Sequence, residues 1–509
     1  MQDYKFIFSP KKINFDLLAV GIILFSFLLR LGIILSGQIN LYYDEAQYWD
    51  WSRSLDWSYY SKGPLIAYFI WFWTKIFGPT ELGIRFGACL NLTILQSLIY
   101  FGLKKICSQK THSTSYLPLI ALIIATTTPL FLVTGILMTT DNLLVLCYSF
   151  ALFFLYFYLQ TPKNKYLIGI LISLILGTLA KYTMLIFIPL SLFVCFKYQK
   201  KQTLKLTLTL LLGGTIGLLP ILIWNIKYNF VGIKHVLYRG SLAGNKAKEF
   251  FRPWHFPEFL ASQIGVLTPW YFFLLFKAWF NNNTQIFLKP QEYTFCKTFF
   301  WPIWLAFTAL SFHTKVEANW PALSYVPALI ILAISFLQLK LKWQKIVFTC
   351  GAITFILFHS IVFIPMPGKL DVLQRMRGYE QIGHYIKQLK QTQFKNPNKV
   401  FIISDSYGIT SELSFYVPGQ QRAFCVNFGR KQNQYDIWLS PKNKIGWDAI
   451  FVTKGIEKNI PPLLKKMFKR VLRPIIFHST HKNKPGQVVS IIICYEYNGF
   501  WPLPKNKTY

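Results

Sequence analysis

The stretch INLYYDEAQYWDWSRSLDWSYYSKGPLIAYFIW, Ile39 to Trp71, sets an adjacent acidic pair, Asp44 and Glu45, among tyrosines and tryptophans and follows it with Lys62 in front of Gly63-Pro64. Apolar runs lie on both sides of it. Ionisable side chains within or beside a bilayer are costly, and where they are kept they usually do chemistry or hold a partner. How this stretch is read therefore decides whether the chain is a membrane enzyme or only an anchored protein.

Outward from that loop, the chain of 509 residues is 53% hydrophobic, 18% aromatic and only 15% charged. Its mean hydropathy of +0.35 lies outside the usual soluble range. Apolar runs that approach or exceed the length needed to cross the hydrocarbon core recur at 15–36, 82–102, 117–136, 142–160, 166–181, 183–197, 206–226, 261–279, 298–313, 320–338 and 344–364. A polytopic α-helical membrane protein follows, with about eleven transmembrane helices in a range of about nine to thirteen. The first run, Leu17 to Ile34, lacks a small-residue cleavage site after it and reads as a first span, not a removed signal peptide.

The net charge of +34 invites a nucleic-acid reading. The basic residues, however, fall in short runs between apolar segments, as the positive-inside rule requires. No nucleic-acid partner is expected. With Lys5, Lys11 and Lys12 cytoplasmic, the clusters Lys104/Lys105/Lys110, Lys163/Lys165, Lys197 to Lys205 and Lys340/Lys342/Lys345 thread to the same side. Asp44, Glu45, Lys62, Arg85, Asp141, Lys181, His313, Lys315, Glu317 and everything after Pro365 thread to the other. Polar residues thus gather at one surface.

Residues 1–366 form the expected membrane domain, with an interfacial first external loop at 37–81, and 367–509 a soluble, non-cytoplasmic α/β domain. The tail's short runs VFIISD, AFCVNF, AIFVT and VSIIICYEY read as strands between helical or turn-rich stretches. The eight cysteines show no CxxC pair; Cys425 and Cys494 could pair in an oxidising compartment. In the first loop, Tyr48, Trp51 and Leu55 suit a helix along the membrane surface, and Pro64 to Gly78 is a short interfacial or re-entrant segment.

YYDEAQYWDWSRSLDWSYYSKGPLIA with FGPTELGIRF (Phe77 to Phe86) resembles the first external loop of GT-C-fold glycosyltransferases, specifically the protein O-mannosyltransferase and lipid A aminoarabinose transferase superfamily. MTTDNLL, LAKYTML, KVEANWPA, SELSFYVPG and GRKQNQYDIW are similar to bacterial members. The resemblance implies a GT-C-like fold and transfer of a monosaccharide from a polyprenyl-phosphate carrier to a lipid or protein acceptor of the cell envelope. It also implies a bacterial inner membrane, with the site on the periplasmic face and inversion at the anomeric centre. This chain has Ser61-Lys62-Gly63-Pro64 where many relatives read Asp-His-Pro-Pro.

The residue types suit that chemistry. A hydroxyl acceptor is a weak nucleophile, so a carboxylate within hydrogen-bond reach would take its proton; Asp44 is the expected base. Glu45 points elsewhere on any regular backbone and orients the loop, holds Asp44 or joins a metal. Asp141 is a second acidic station or a helix N-cap in TTDN. The departing lipid phosphate calls for cations, and Lys62, Arg85, Lys181 and Lys315 are the candidates. His313, Glu317 and Asn319, with Tyr43 and Tyr60, would contact substrate. The residues leave metal dependence open; Asp44, Glu45 and Asp141 are the ligands if a divalent metal takes part. A transporter, flippase or assembly factor for lipid-linked glycans is the alternative, but such carriers keep charges at the midplane between inverted repeats.

Overall fold

A computed structural model of the chain describes residues 14–108, 116–240, 251–280, 287–438 and 440–504. Lys5, Lys11, Lys12 and Lys110 of the basic clusters lie outside the described residues. Two compact units interleave along the chain: Met1–Gly32, Lys62–Ile66 and Arg85–Ser360 form one, and Ile33–Ser61, Ala67–Ile84 and Ile361–Tyr509 the other.

The chain is a polytopic helical membrane protein. Among the described residues, five helices are long and apolar enough to cross a bilayer: Phe15–Leu35, Glu81–Cys107, Thr140–Gln160, Lys200–Lys227 and Leu341–Ser360. A further pair, His255–Leu267 with Pro269–Phe280, qualifies as one span bent by 102°. Shorter apolar helices cover Leu65–Phe77, Leu117–Thr127, Asn164–Ala180, Tyr182–Tyr198 and Ala322–Leu337.

Two runs that read as continuous in the sequence, 117–136 and 261–279, are broken. Thr128 precedes Pro129 and Thr268 precedes Pro269, and a proline ring drives the residue before it out of the helical region. Thr128 is extended, with φ −85 and ψ 123, and Thr268 takes φ 76 and ψ 149. Each break therefore has a local cause.

Helix Ala322–Leu337 is buried on nearly every side, as expected of an all-apolar helix in the middle of a bundle. Helices Asn164–Ala180 and Thr203–Lys227 approach closely because Gly217 has no side chain: a Cβ there would meet Thr178 Cβ at 2.8 Å.

The second unit holds a mixed six-stranded sheet, β1 Val400–Ser404, β2 Phe424–Cys425, β3 Asp448–Lys454, β4 Phe468–Val471, β5 Ile475–His481 and β6 Lys484–Tyr497, ordered β2-β1-β3-β6-β4 with β5 also on β6. β1 runs parallel to β2 and β3, and β6 antiparallel to β3, β4 and β5. The helix Tyr407–Tyr416 leaves the end of β1, and helix Tyr379–Gln393 buries Tyr379, Ile382, Gly383, Ile386 and Leu389 along one stripe. The small α/β fold read in the tail is present.

The pairing of Cys425 with Cys494 is corrected. All eight cysteines are free. Cys425 sits on β2 and Cys494 on β6, with β1 and β3 between them. Three strand spacings amount to about 14 Å, roughly twice the Cα separation a disulfide spans.

Candidate active site

In the second unit, the acidic pair opens the helix Tyr43–Ser52. Tyr42 is extended, and the Glu45 carboxylate accepts the Tyr42 backbone N–H at 2.9 Å, as the reaching-back half of a capping box does. Asp44 and Glu45 also lie in the first turn, where the helix dipole favours negative charge. The sequence therefore starts the helix where it does because it places these acids there.

The helix carries three carboxylates with different fates. Glu45 and Asp50 are fully buried. Asp50 accepts from Arg53 at 2.7 Å, Arg422 at 3.1 Å and the Tyr435 hydroxyl at 2.7 Å. It anchors the helix to the tail. Asp44 is half-buried, and its Oδ1 accepts the Tyr407 hydroxyl at 3.2 Å. Burial, and then the charge of Asp44, push the Tyr407 phenol well above its ordinary pKa. That phenol stays protonated and is a donor to the carboxylate. Tyr43 packs edge-on against Tyr407 at 5.7 Å, and the Tyr42 ring meets that of Tyr43 at 4.0 Å, tilted by 38°, with the Arg375 guanidinium 5.0 Å over the Tyr42 ring.

Tyr60 is placed differently: its backbone N–H donates to Gln434 Oε1 at 2.7 Å and its ring is buried, so it ties the loop down.

In the first unit, Asp141 lies in the first turn of helix Thr140–Gln160, whose cap residue is Thr139. Asp141 is not the cap. Its Oδ1 accepts Lys181 Nζ at 2.7 Å and its Oδ2 accepts Asn319 Nδ2 at 2.7 Å. Lys181 is available because helix Asn164–Ala180 ends there in an extended residue, φ −161 and ψ 134, before a turn of 3₁₀ helix resumes. The same unit lays the Lys62–Ile66 segment against that helix end. A Cβ on Gly63 would stand 2.1 Å from the Leu179 carbonyl oxygen. Neighbouring Asn142 fixes the start of its helix, donating to Thr134 O at 2.7 Å and accepting from Asn91 at 2.6 Å.

The other candidates of this unit differ in burial and in partners. Arg85 is completely buried on helix Glu81–Ser97. Lys315 is exposed and pairs with Glu258, and Glu317 pairs with Arg239 at 3.2 Å. His313 is buried, its backbone N–H on Leu310 O at 2.9 Å. Of the segment Phe312 to Ala322, Asn319 donates to Asp141, the acid that also holds Lys181. Among the described residues, no group of three His, Cys, Asp or Glu could hold a metal ion.

Sequence reasoning missed Tyr407, Arg375 and the anchoring role of Asp50. The SDSYG run at the end of β1, a strand-to-helix corner, was the available signal for Tyr407.

The family model for dolichyl-phosphate-mannose-protein mannosyltransferase matches residues 61–224, a stretch containing Lys62, Arg85, Asp141 and Lys181. The lipid A galacturonosyltransferase RgtD of Rhizobium johnstonii is 24% identical over 366 residues, 68% of this chain and 72% of the relative. Among solved structures, ArnT from Cupriavidus metallidurans bound to undecaprenyl phosphate superposes with a TM-score of 0.57 at 14% identity, covering 94% of this chain and 97% of that one. Its apo form gives a TM-score of 0.56 at 14% identity over the same shares. The fold is shared over almost the whole length. The chain thus has a GT-C-like fold and is similar to the polytopic membrane glycosyltransferases of the protein O-mannosyltransferase and ArnT-like superfamily.

Proposed function

We propose that this glycosyltransferase moves a monosaccharide from a polyprenyl-phosphate carrier to an acceptor of the cell envelope, with inversion and with Asp44 as general base. The observation that carries the reading is the division of labour on one helix: Glu45 and Asp50 are buried in structural contacts, while Asp44 stays half-exposed. A carboxylate in that setting is accessible to an acceptor hydroxyl, and the Tyr407 hydroxyl orients it.

The step balances simply. The acceptor hydroxyl loses its proton to Asp44 as its oxygen attacks the anomeric carbon. The anomeric carbon–oxygen bond to phosphate breaks on the opposite face, and the electron pair leaves with the lipid phosphate. Attack opposite the leaving group inverts the centre. Lys62, Arg85, Lys181 and Lys315 are the cations proposed for the growing phosphate charge; Tyr43, Tyr60, His313, Glu317 and Asn319 are proposed to contact substrate. Asp141 keeps the Lys181 ammonium in place.

Residues 1–366 are proposed as the membrane domain and 367–509 as a soluble domain outside the cytoplasm, in a bacterial inner membrane with Asp44 on the periplasmic face. The basic clusters at Lys104/Lys105, Lys163/Lys165 and Lys340/Lys342/Lys345 support that orientation. The undecaprenyl phosphate bound to ArnT and the lipid A in the name of RgtD support a polyprenyl donor and a lipid A acceptor.

The test is a purified assay. Full-length protein in lipid nanodiscs is given an undecaprenyl-phosphate-linked sugar and lipid A, and release of undecaprenyl phosphate is followed by mass spectrometry. Acceptor-dependent release, absent in Asp44→Asn, is expected. A folded wild type that neither binds nor consumes any such donor across a panel of sugars sinks the reading.

A further inference from the structure

An open concavity of about 430 Å³ lies on the second unit, walled by Asp371, Arg375, Lys454, Gly455, Gly486 and Val488 among others. Its size is that of a small-molecule site. Two of its walls carry cations. Arg375 and Lys454 are both exposed, and among the described residues neither makes an ion pair; Arg375 has only the Tyr42 ring beneath it, at 5.0 Å. The acid in the wall is already neutralised: Asp371 Oδ2 takes Arg377 Nη1 at 2.5 Å, and the two side chains are 6% and 0% exposed. The concavity is therefore net cationic.

Its walls are built, not incidental. Gln374 Nε2 donates to Gly486 O at 3.1 Å, Gln487 Nε2 to Gln374 O at 2.7 Å, and the Gln487 backbone N–H to Arg377 O at 3.1 Å. The ends of β5 and β6 at their shared turn are fastened within the same unit: His481 Nε2 meets Gly37 O at 2.7 Å, and Lys484 Nζ donates to Val362 O at 2.9 Å. Exposed apolar side chains lie in the wall and beside it along the chain: Val372, 56% exposed, lines it, and Leu370, 67%, and Ile456, 58%, are the chain neighbours of Asp371 and Gly455. Exposed apolar side chains around a charged pocket suit a ligand with an anionic head and a lipid body.

We infer that this concavity binds the phosphate monoester of a lipid head group, through Arg375 and Lys454, and seats the acceptor beside Asp44. The inference rests on the reading of Asp44 as the base. Tyr42 lies under Arg375 and its ring touches that of Tyr43, the residue before Asp44, so a head group on Arg375 stands next to the loop that holds the base. Arg supplies a two-pronged contact and Lys a point charge to the phosphate oxygens.

The same phosphate chemistry can come from a lipid or from free phosphate, and the experiment separates them. Full-length protein is placed in phosphatidylcholine nanodiscs containing phosphatidic acid, and retained phosphatidic acid is counted by native mass spectrometry with and without millimolar inorganic phosphate. Wild type, Asp44→Asn and Arg375→Lys are expected to retain it. Arg375→Gln/Lys454→Gln loses it by about tenfold or more per cation removed, and Lys387→Gln, on an exposed face of helix Tyr379–Gln393, keeps it. Equal retention by the double variant and wild type overturns the inference. Displacement by inorganic phosphate overturns the lipid head group in favour of free phosphate. If the double variant loses retention while Asp44→Asn still transfers sugar, the site stands and the base assignment falls; full retention in the double variant with a dead Asp44→Asn is the converse.

Discussion

Lys181 donates to Asp141 at 2.7 Å within a bundle of apolar helices, with side chains only 15% and 8% exposed. Breaking a buried ion pair from one side leaves a charge without a partner, and that is more damaging than removing both. Lys181→Met alone is expected to cost about 3–5 kcal/mol. Adding Asp141→Asn should recover much of it. Thermal unfolding in detergent, run as a double-mutant cycle, measures the coupling; additive losses would show that the pair is not a unit. If Lys181 also binds donor phosphate, the refolded double variant still loses donor affinity.

Gly63 stands where any side chain would run into the Leu179 carbonyl, 2.1 Å from an added Cβ. Backbone on both sides leaves little room to yield. Gly63→Ala is expected to destabilise by about 1–3 kcal/mol and to displace Lys62 from the end of helix Asn164–Ala180. Gly419→Ala, where nothing lies within 4 Å but φ is +93, is a useful contrast, since its cost is backbone strain alone. Equal transfer activity in Gly63→Ala and wild type would mean that this close approach does not position Lys62 for the reaction.

The sequence carried the membrane class and the acidic loop in plain view because both are local signals: runs of apolar residues, and carboxylates where charge is expensive. Lys181 stood out for the same reason, a lone ammonium between apolar half-runs, and its partner Asp141 and the Asn319 that also meets that acid were both singled out without being joined. What was hidden depends on contacts distant in the chain. Asp50 looked like one more loop acid until Arg422 and Tyr435 met it, and Tyr407 is 363 residues from Asp44. β4 exposes the adjacent Lys469 and Arg470, and β5 exposes Ile476, His478 and Thr480 on one face, so both lack the long apolar runs that marked β1, β3 and β6. The helix breaks at Thr128 and Thr268 were legible in principle, since each precedes a proline, but apolar length alone masks them.

Tyr407 is expected to act through Asp44. Removing its hydroxyl takes away one hydrogen bond to a charged acceptor, worth about 1.5–3 kcal/mol, so Tyr407→Phe should slow transfer by about ten- to a hundredfold while donor binding is kept. In an Asp44→Asn background the same change should add almost nothing, because residues that work as a unit are not additive. Equal losses in both backgrounds would assign Tyr407 a separate, structural role.

Asp405, at the strand-to-helix corner that carries Tyr407, has its carboxyl raised above its ordinary pKa by burial, with the Thr453 hydroxyl donating to it at 2.7 Å. The folded state then holds that proton more tightly than the unfolded chain. Its contribution to stability is full below the unfolded pKa and is lost as pH rises through the folded one. Asp405→Asn is expected to melt higher than wild type at neutral pH, with the difference vanishing in acid below the ordinary carboxylate range. A difference that instead grows on acidification would contradict the raised value.

The most direct measurement is mass spectrometry of envelope glycolipids and glycoproteins from cells carrying wild type, a deletion, and Asp44→Asn at matched protein levels. Loss of a positioned general base lowers rate by about 10²–10⁴-fold, so one sugar should vanish from one acceptor in both mutants. If the deletion loses that sugar and Asp44→Asn keeps it, the general base is another residue and the account of this loop is wrong.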